Sequence, residues 1–152
     1  MELLFNEINQ LSNEHYSLLL DADPSKKLVD DYTYRGLTYE VLLNETLVGV
    51  VVLLPTRPET LEIVNVAVHP NYQKQGIGQK IILFAIGYAK RNNYRSIEIG
   101  TGSTSLGQLY LYQKMDFRIT GVDTDFFLHH YSEEIMENGL VLKDMIRLRL
   151  DI

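Results

Sequence analysis

Hydrophobic positions in the first third of the chain recur at helical spacing and then change to the denser runs typical of strands. A stripe at helical spacing predicts one helix that closes at Asp23-Pro24, after a short strand near residues 2–5. The stripe consists of Ile8, Leu11, His15, Leu18 and Leu19. Ser25 is a suitable cap for a second helix through about Tyr34, and Gly36 ends it.

The next part of the chain predicts an antiparallel meander. Residues 37–43, 47–54 and 61–68 are rich in Val, Leu and Ile and predict three strands. Residues 44–46 and 55–58 separate them with turn-forming Asn and Pro.

A helix and a parallel strand follow this meander. The apolar stripe of the predicted helix begins at Ile77 and faces a sheet, while residues 95–100 predict a short strand. The crossover from strand 61–68 through this helix should form a right-handed βαβ unit. Ser105-x-x-Gln108 matches a capping box and predicts the start of another helix.

The C-terminal part alternates more strictly. Residues 117–122 predict a strand, and residues 146–152 alternate apolar and polar side chains, which predicts another. We expect this last strand to offer an edge with which a second copy could pair as a homodimer, while the oligomeric state stays open. Residues 123–143 are irregular, with a short helical turn over 132–138 ended by Gly139. The whole pattern predicts one α/β (α+β) domain over residues 1–152, with a mixed sheet and helices on both faces.

Composition narrows the class of protein. The chain has 152 residues, 45% hydrophobic and 22% charged, as an ordinary globular domain does. Cysteine is absent, which excludes disulfides and thiolate metal sites; together with the lack of a basic-then-apolar leader it favours a cytoplasmic location. A net charge of −6 disfavours nucleic acid binding and favours an amine-bearing partner. The longest apolar runs, such as residues 48–55, are far shorter than the stretch of about 20 residues that crosses a bilayer, so no membrane partner is expected.

The most informative motif lies between strand 61–68 and the following helix. It is Gln73-Lys74-Gln75-Gly76-Ile77-Gly78, and its two glycines leave the first amides of a helix open to a phosphate. A dinucleotide-binding fingerprint would require a third glycine where Ile81 stands, and a Walker loop would require Gly-Lys-Ser/Thr. Both of those nucleotide folds are excluded on these residues.

The motif resembles the Gln/Arg-x-x-Gly-x-Gly/Ala signature of the GNAT acetyltransferase superfamily. Tyr112-Gln113-Lys114-Met115-Asp116-Phe117 is similar to the Tyr-x-Lys-x-Gly-Phe signature that closes the same core. Two motifs in the right order identify the chain as a member. Asp116 replaces the usual glycine, so a left-handed backbone there would carry a cost.

The resemblance implies a GNAT-type, mostly antiparallel sheet and acetyl-CoA as cosubstrate, without a metal. Its two parallel strands splay apart to admit the pantetheine arm, and the diphosphate rests on amides of residues 74–79. The implied cofactor-binding residues are Val66, Ala67, Val68, Gln73, Lys74, Gln75, Gly76, Ile77, Gly78, Gln79 and Ser105. For Lys74, a solvated surface position is an equally good interpretation.

Two residues are candidates for acid–base chemistry. Tyr112 matches the tyrosine that protonates the leaving thiolate in relatives. Its alternative role is that of a core aromatic residue in the helix that begins near Ser105. Glu62 stands where relatives often place a carboxylate that deprotonates the amine, and its alternative is a solvated strand residue. Asn65, polar inside an apolar strand, is interpreted as a hydrogen-bonding partner of a bulge or loop.

Histidines and aromatic residues offer weaker signals. His129 and His130 are not expected to share a metal, because neighbours in extended chain point to opposite sides, and His69 is interpreted as a loop-packing residue. Phe126, Phe127 and Tyr131 form either the wall of an acceptor pocket or a hydrophobic plug or dimer contact. The acids near them are Asp123, Asp125, Glu133 and Glu134.

The sequence therefore predicts an acetyl-CoA-dependent N-acetyltransferase that moves acetyl to a primary amine by direct attack. The alternative is a non-catalytic module that binds or senses acyl-CoA. Acceptors from small metabolites to peptide amines all stay open, because acceptor loops vary while the cofactor site does not.

Overall fold

The computed structural model describes all residues, Met1–Ile152. Its strands are β1 (Leu3–Ile8), β2 (Leu37–Leu43), β3 (Thr46–Arg57), β4 (Thr60–Val68), β5 (Ser96–Gly102), β6 (Arg118–Asp123), β7 (Met136–Glu137), β8 (Leu140–Val141) and β9 (Met145–Asp151). Its helices are α1 (Asn13–Ala22), α2 (Lys26–Arg35), α3 (Ile77–Arg91), α4 (Leu106–Lys114) and α5 (Phe126–His130), with a 3-10 turn at Pro70–Tyr72. None of the helices combines the length and hydropathy that a bilayer crossing requires.

Seven strands form one mixed sheet in the order β1-β2-β3-β4-β5-β9-β6, and β7 and β8 form a separate hairpin. Only β4 and β5 pair in parallel; every other neighbouring pair is antiparallel. The predicted sheet with one parallel βαβ unit is therefore confirmed. The expectation that the C-terminal strand is an edge is wrong, because β9 lies between β5 and β6 and has no free side.

Helices cover both faces of the sheet, as predicted. On one face α3 buries its apolar stripe, including Ile81 and Ala85, against Leu61 and Ile97 of the two parallel strands. On the other face α1 and α2 pack against β3 and the end of β4, in a second cluster that contains Leu19 and Val29. The 3.6-residue repeat of α3 and the alternation of the strands make these two cores possible.

The N-terminal helix begins later than its apolar spacing suggested. Ile8 ends β1 and Leu11 precedes the helix, while Ser12 caps it: its hydroxyl accepts from the amide of His15, and the His15 ring accepts from the amide of Ser12. A reciprocal cap satisfies two amides that the first turn of the helix leaves unpaired. The predicted Ser25 cap and Gly36 end of α2 are both present.

Two local expectations in the C-terminal third are wrong. Residues 132–138 do not form a helical turn; Asn138 and Gly139 have φ of 54° and 76° and make the tight turn between β7 and β8. An Asn-Gly pair favours this turn because both positions require a positive φ. Ser105 does precede α4, but its side chain caps no helix amide, so the capping box is absent.

The pairing of β4 changes along its length. Val52 opposes Asn65 while Leu53 opposes Ile63, so Val64 is an extra residue, a β-bulge. The parallel ladder to β5 covers Thr60–Ile63 and stops at that same point. Beyond the bulge β4 and β5 are no longer paired with each other.

The turn after α4 contains a non-glycine residue in the left-handed backbone conformation. Asp116 has φ of 73°, a conformation that costs a residue with a side chain more than it costs glycine. We expect Asp116→Gly to raise the free energy of unfolding by about 0.5 kcal/mol, because relief of the strain exceeds the entropy that glycine adds to the unfolded chain. Urea unfolding measures it, with Asp116→Ala as the control: alanine keeps the strain, and a stability gain equal to that of glycine would contradict this account.

Candidate active site

A cleft of about 570 Å³ opens where β4 and β5 separate. Its lining comes from the end of β4, the loop into α3 and the first turns of α3, together with the end of α1 and residues 107–112 of α4. The residues that line it are Asp21, Ala22, Val66, Ala67, Val68, Tyr72, Gln73, Lys74, Gly76, Ile77, Gly78, Gln79, Ile82, Gly107, Gln108, Leu111 and Tyr112. The gap between the two strands therefore continues to the first turn of α3.

The start of α3 is shaped for close approach. Gly76 precedes the helix with φ of 85°, and no side chain caps the helix amides. A Cβ added at Gly76 or Gly78 would meet no protein atom closer than 3.9 Å, so the space above these amides belongs to the cleft. Gln73 closes the loop by donating from Nε2 to the Val68 carbonyl, 3.0 Å away.

Most of the residues predicted to hold the cofactor come together in this cleft. Val66–Val68, Gln73, Lys74 and residues 76–79 all line it. Gln75 is exposed and does not line it. Ser105 is also outside the lining: its hydroxyl donates to the Glu137 carboxylate at 2.6 Å, a contact that links the loop before α4 to β7.

Tyr112 reaches the cleft from the last turn of α4. It is 4% exposed, and its ring packs near Phe117 with the ring centres 6.2 Å apart. Its hydroxyl makes no hydrogen bond to another protein group, and burial raises the pKa of this phenol above its ordinary value. Tyr112 is thus both a core aromatic and a neutral hydrogen-bond donor at the cleft.

Glu62 lies on β4 on the other face of the sheet, just before the bulge. Its side chain is 17% exposed, and Arg147 on β9 places Nη1 3.5 Å from its carboxylate. Burial raises the pKa of Glu62; the charge of Arg147 opposes this, while the charge of Glu98 on β5 adds to it. The net effect is a carboxylate more basic than a solvated one.

Arg147 reaches Glu62 because β5 has a glycine in its path. Gly100 pairs directly with Arg147, and a Cβ there would stand 3.5 Å from the guanidinium and 2.7 Å from the sulfur of Met145. On its other side Arg147 donates from Nε and Nη2 to the Asp123 carboxylate at 2.8 and 2.7 Å. The Phe126 ring lies 5.8 Å from the guanidinium.

Sequence reasoning missed Arg147, since it marked this residue only as part of the polar face of a strand. Its role depends on pairing between β9 and β5, which are distant in sequence. The one local signal is Gly100, a residue without a side chain in a strand that otherwise alternates Ile with polar residues.

Asn65 follows the bulge and is 5% exposed. Its Nδ2 donates to the Leu19 carbonyl at 3.1 Å and to the Tyr32 hydroxyl at 2.8 Å, which confirms that it ties the bulge to neighbouring elements. Its Oδ1 is buried without a hydrogen-bond partner among the protein atoms. Burial and the nearby charge of Asp23 raise the pKa of Tyr32, so this phenol stays neutral.

The histidines do not form a cluster. His129 and His130 lie in α5 rather than in extended chain, so the geometric reason given for separating them is wrong, and both are exposed. His69 accepts a hydrogen bond from the amide of Asn71 in its own loop, as a loop-packing residue does. No three His, Cys, Asp or Glu side chains are grouped so as to hold a metal ion.

This fold and cleft define a class, and the comparison with known proteins agrees. The Acetyltransferase (GNAT) family matches residues 5–117, and the chain belongs to this family of acetyltransferases. It is 51% identical over 153 residues to the uncharacterized N-acetyltransferase YvbK of Bacillus subtilis, with 100% of this chain and 99% of that protein covered.

Solved structures give the same result at the level of coordinates. A Bacillus subtilis acetyltransferase in complex with CoA has a TM-score of 0.95 at 50% identity, covering 99% of each chain. A GNAT family acetyltransferase from Elizabethkingia anophelis with acetyl-CoA bound has a TM-score of 0.94 at 43% identity, covering 99% of this chain and 98% of that one.

The two glycines of the cleft predict opposite responses to alanine. Gly76→Ala should lower the free energy of unfolding by about 1–2 kcal/mol, because its φ is left-handed. It should also weaken CoA binding by about tenfold, because the helix start must shift. Calorimetric titration with CoA and thermal unfolding measure the two effects.

Gly78→Ala is the matched control. Its φ is ordinary and a Cβ has room, so it should stabilise α3 by about 0.5 kcal/mol and leave the CoA affinity nearly unchanged. Equal losses of CoA affinity in the two variants would show that backbone conformation is not what Gly76 provides.

Proposed function

We propose that this acetyltransferase moves the acetyl group of acetyl-CoA directly to a primary amine, with Glu62 as the general base and Tyr112 as the hydrogen-bond donor to the leaving sulfur. The observation that carries the proposal is the position of the strand separation. The parallel ladder ends at Ile63, next to Glu62 on β4, and the cleft that Tyr112 lines includes Val66 further along the same strand.

The cleft suits a CoA molecule in its polar and apolar parts. The uncapped amides at the start of α3 and the positive end of its dipole favour a diphosphate, with Lys74 adjacent. Val66–Val68 have backbone groups that β5 does not pair, and an amide-containing arm fits alongside them in strand-like fashion. The relatives with bound CoA and acetyl-CoA support this assignment.

Glu62 has the environment of a usable base. An alkylamine is mostly protonated at neutral pH, and it must lose a proton before it attacks the thioester carbon. Burial brings the pKa of Glu62 upward, nearer to the working pH, which strengthens it as a proton acceptor. Its negative charge also attracts the cationic form of the acceptor.

Tyr112 acts at the other end of the reaction. When the carbon–sulfur bond breaks, the sulfur takes the electron pair as a thiolate, whose proton affinity is lower than that of a buried phenol. Tyr112 therefore stabilises the thiolate by donating a hydrogen bond while keeping its own proton. A primary ammonium loses two protons overall: Glu62 takes one before the attack and releases it to solvent, and the second leaves the nitrogen as the tetrahedral intermediate collapses. The thiolate takes one proton from solvent, so each acetyl transfer releases one proton.

Removal of either group should lower turnover without loss of the cofactor. We expect Glu62→Gln to reduce kcat/KM by about 10²-fold or more, because the amide accepts no proton at neutral pH. Tyr112→Phe should reduce kcat, because the hydrogen bond that Tyr112 donates to the sulfur becomes important only as the thiolate forms. A CoA-release assay on an amine panel measures both, and CoA titration checks that affinity is retained.

Glu98→Gln is the control for Glu62→Gln. Glu98 pairs with Glu62 in the parallel ladder and forms an ion pair with Arg57. It should keep kcat/KM near that of the unmodified protein at the pH optimum. If Glu62→Gln retained full activity, the assignment of the base would be wrong.

The pH profile should move in opposite directions in two variants. Arg147→Met removes the positive charge that lowers the pKa of Glu62, so the acid limb of kcat/KM should shift to higher pH. Glu98→Gln removes a negative charge that raises this pKa, so the limb should shift to lower pH. The pKa of the acceptor amine is the same in every assay, so it does not produce a difference between the variants. Shifts in the same direction would exclude Glu62 as the titrating group.

A further inference from the structure

Two parts of the chain cover the face of the sheet that carries Glu62. Helices α1 and α2 lie over β3 and the end of β4. The crossing segment, residues 124–143, lies over the strands beyond: Phe126 sits against Arg147 of β9, and the amide of Asp125 donates to Asp144 at 2.8 Å. Glu62 lies between these two covers in the sheet order, since β4 pairs with β3 and β5, and we call the surface above it the approach to Glu62.

A hydrogen bond spans this approach. Tyr131 of the crossing segment donates to Oδ1 of Asp23, in the turn between α1 and α2, at 2.7 Å. Oδ2 of Asp23 accepts from Tyr32 at 2.9 Å, and Tyr32 is joined to Asn65 beside the bulge of β4. The bridge is therefore anchored to the point at which β4 leaves β5.

The crossing segment is also fastened at its other end. Glu137 accepts from the hydroxyls of Thr104 and Ser105 at 3.0 and 2.6 Å. Asn138 donates from Nδ2 to the Thr104 carbonyl at 2.7 Å. A segment held at both ends by buried or half-buried contacts does not move aside without the loss of several hydrogen bonds.

The crossing segment contributes aromatic rings to the face of the sheet that carries the Glu62 carboxylate. The rings of Phe126, Phe127 and Tyr131 are half-buried, with centres 5.2 to 6.4 Å apart. The charge of Arg147 is largely taken up by Asp123, at 2.7 Å against 3.5 Å to Glu62. An amine that reaches Glu62 meets apolar rings on the way.

From these contacts, and resting on the proposed function, we propose that the acceptor is a small primary amine with an apolar, aromatic-sized body. The Tyr131–Asp23 bridge ties the two covers together, and we expect the backbone of a polypeptide to reach Glu62 only if that bridge opens. The rings hold the body of the amine, and Glu62 receives its nitrogen. Lysine side chains and N-termini of proteins are then poor acceptors.

The test compares three acceptors on the full chain in a CoA-release assay. They are 2-phenylethylamine, 1,4-diaminobutane and a hexapeptide with an N-terminal phenylalanine, which presents a similar ring and amine on a longer backbone. We expect kcat/KM for 2-phenylethylamine to exceed that of each of the other two by about tenfold or more, as a fitted apolar pocket allows.

Tyr131→Phe tests the bridge, with Tyr34→Phe as its matched control. The variant keeps the ring and loses the hydroxyl that binds Asp23, so the activity on the hexapeptide relative to 2-phenylethylamine should rise about fivefold. Tyr34 is 91% exposed, and its replacement should leave the ratio unchanged. CoA affinity, measured by titration, should be the same in both variants.

The outcomes separate this inference from the proposed function. Acetylation of the hexapeptide or of the diamine as efficiently as of 2-phenylethylamine overturns the acceptor class but leaves amine acetylation standing. An unchanged ratio in Tyr131→Phe overturns the role of the bridge. If neither these acceptors nor a broad panel of primary amines is acetylated, the proposed function fails, and this inference fails with it.

Discussion

The separation of β4 from β5 is the constraint on which the rest of the structure depends. An extra residue at Val64 changes the register against β3, and the parallel ladder ends at the pair Ile63 and Ile99. The gap does not close, because β3 and α3 hold β4 on one side while β9 pairs with β5 on the other. Backbone groups of β4 beyond Ile63 are left without partners on β5, and such groups require other hydrogen-bond partners.

The two candidate acid–base residues lie on opposite faces of the sheet, on either side of this separation. α4 brings Tyr112 to the gap from the side of the α3 core, and β4 presents Glu62 on the opposite face just before the strands part. The bulge thus lies between the face on which α3 packs and the face that the crossing segment covers.

Patterns within short stretches of the sequence predicted individual helices, strands and loops. Alternation and helical spacing identified α3, β3 and the βαβ unit, and the glycine motif identified the loop that lines the cleft. Contacts between distant parts of the chain were not predictable: β9 is an inner strand because β6 returns to pair with it, and Ser105 binds Glu137 instead of capping its own helix. Arg147 joins this group, since only the sheet order shows that it reaches Glu62 past Gly100.

Arg147 is shared unequally between two carboxylates, and burial is the largest influence on the pKa of Glu62. Burial alone would favour the protonated form of Glu62, and a close bidentate ion pair would depress its pKa and remove its capacity as a base. Here Asp123 takes two donors of the guanidinium at 2.7 and 2.8 Å, and Glu62 faces the third nitrogen at 3.5 Å. Glu62 receives enough positive potential to tolerate partial burial, while its pKa still lies above that of a solvated glutamate. Asp123, on a strand three places from β4 in the sheet order, thus takes up most of the contact that Arg147 offers.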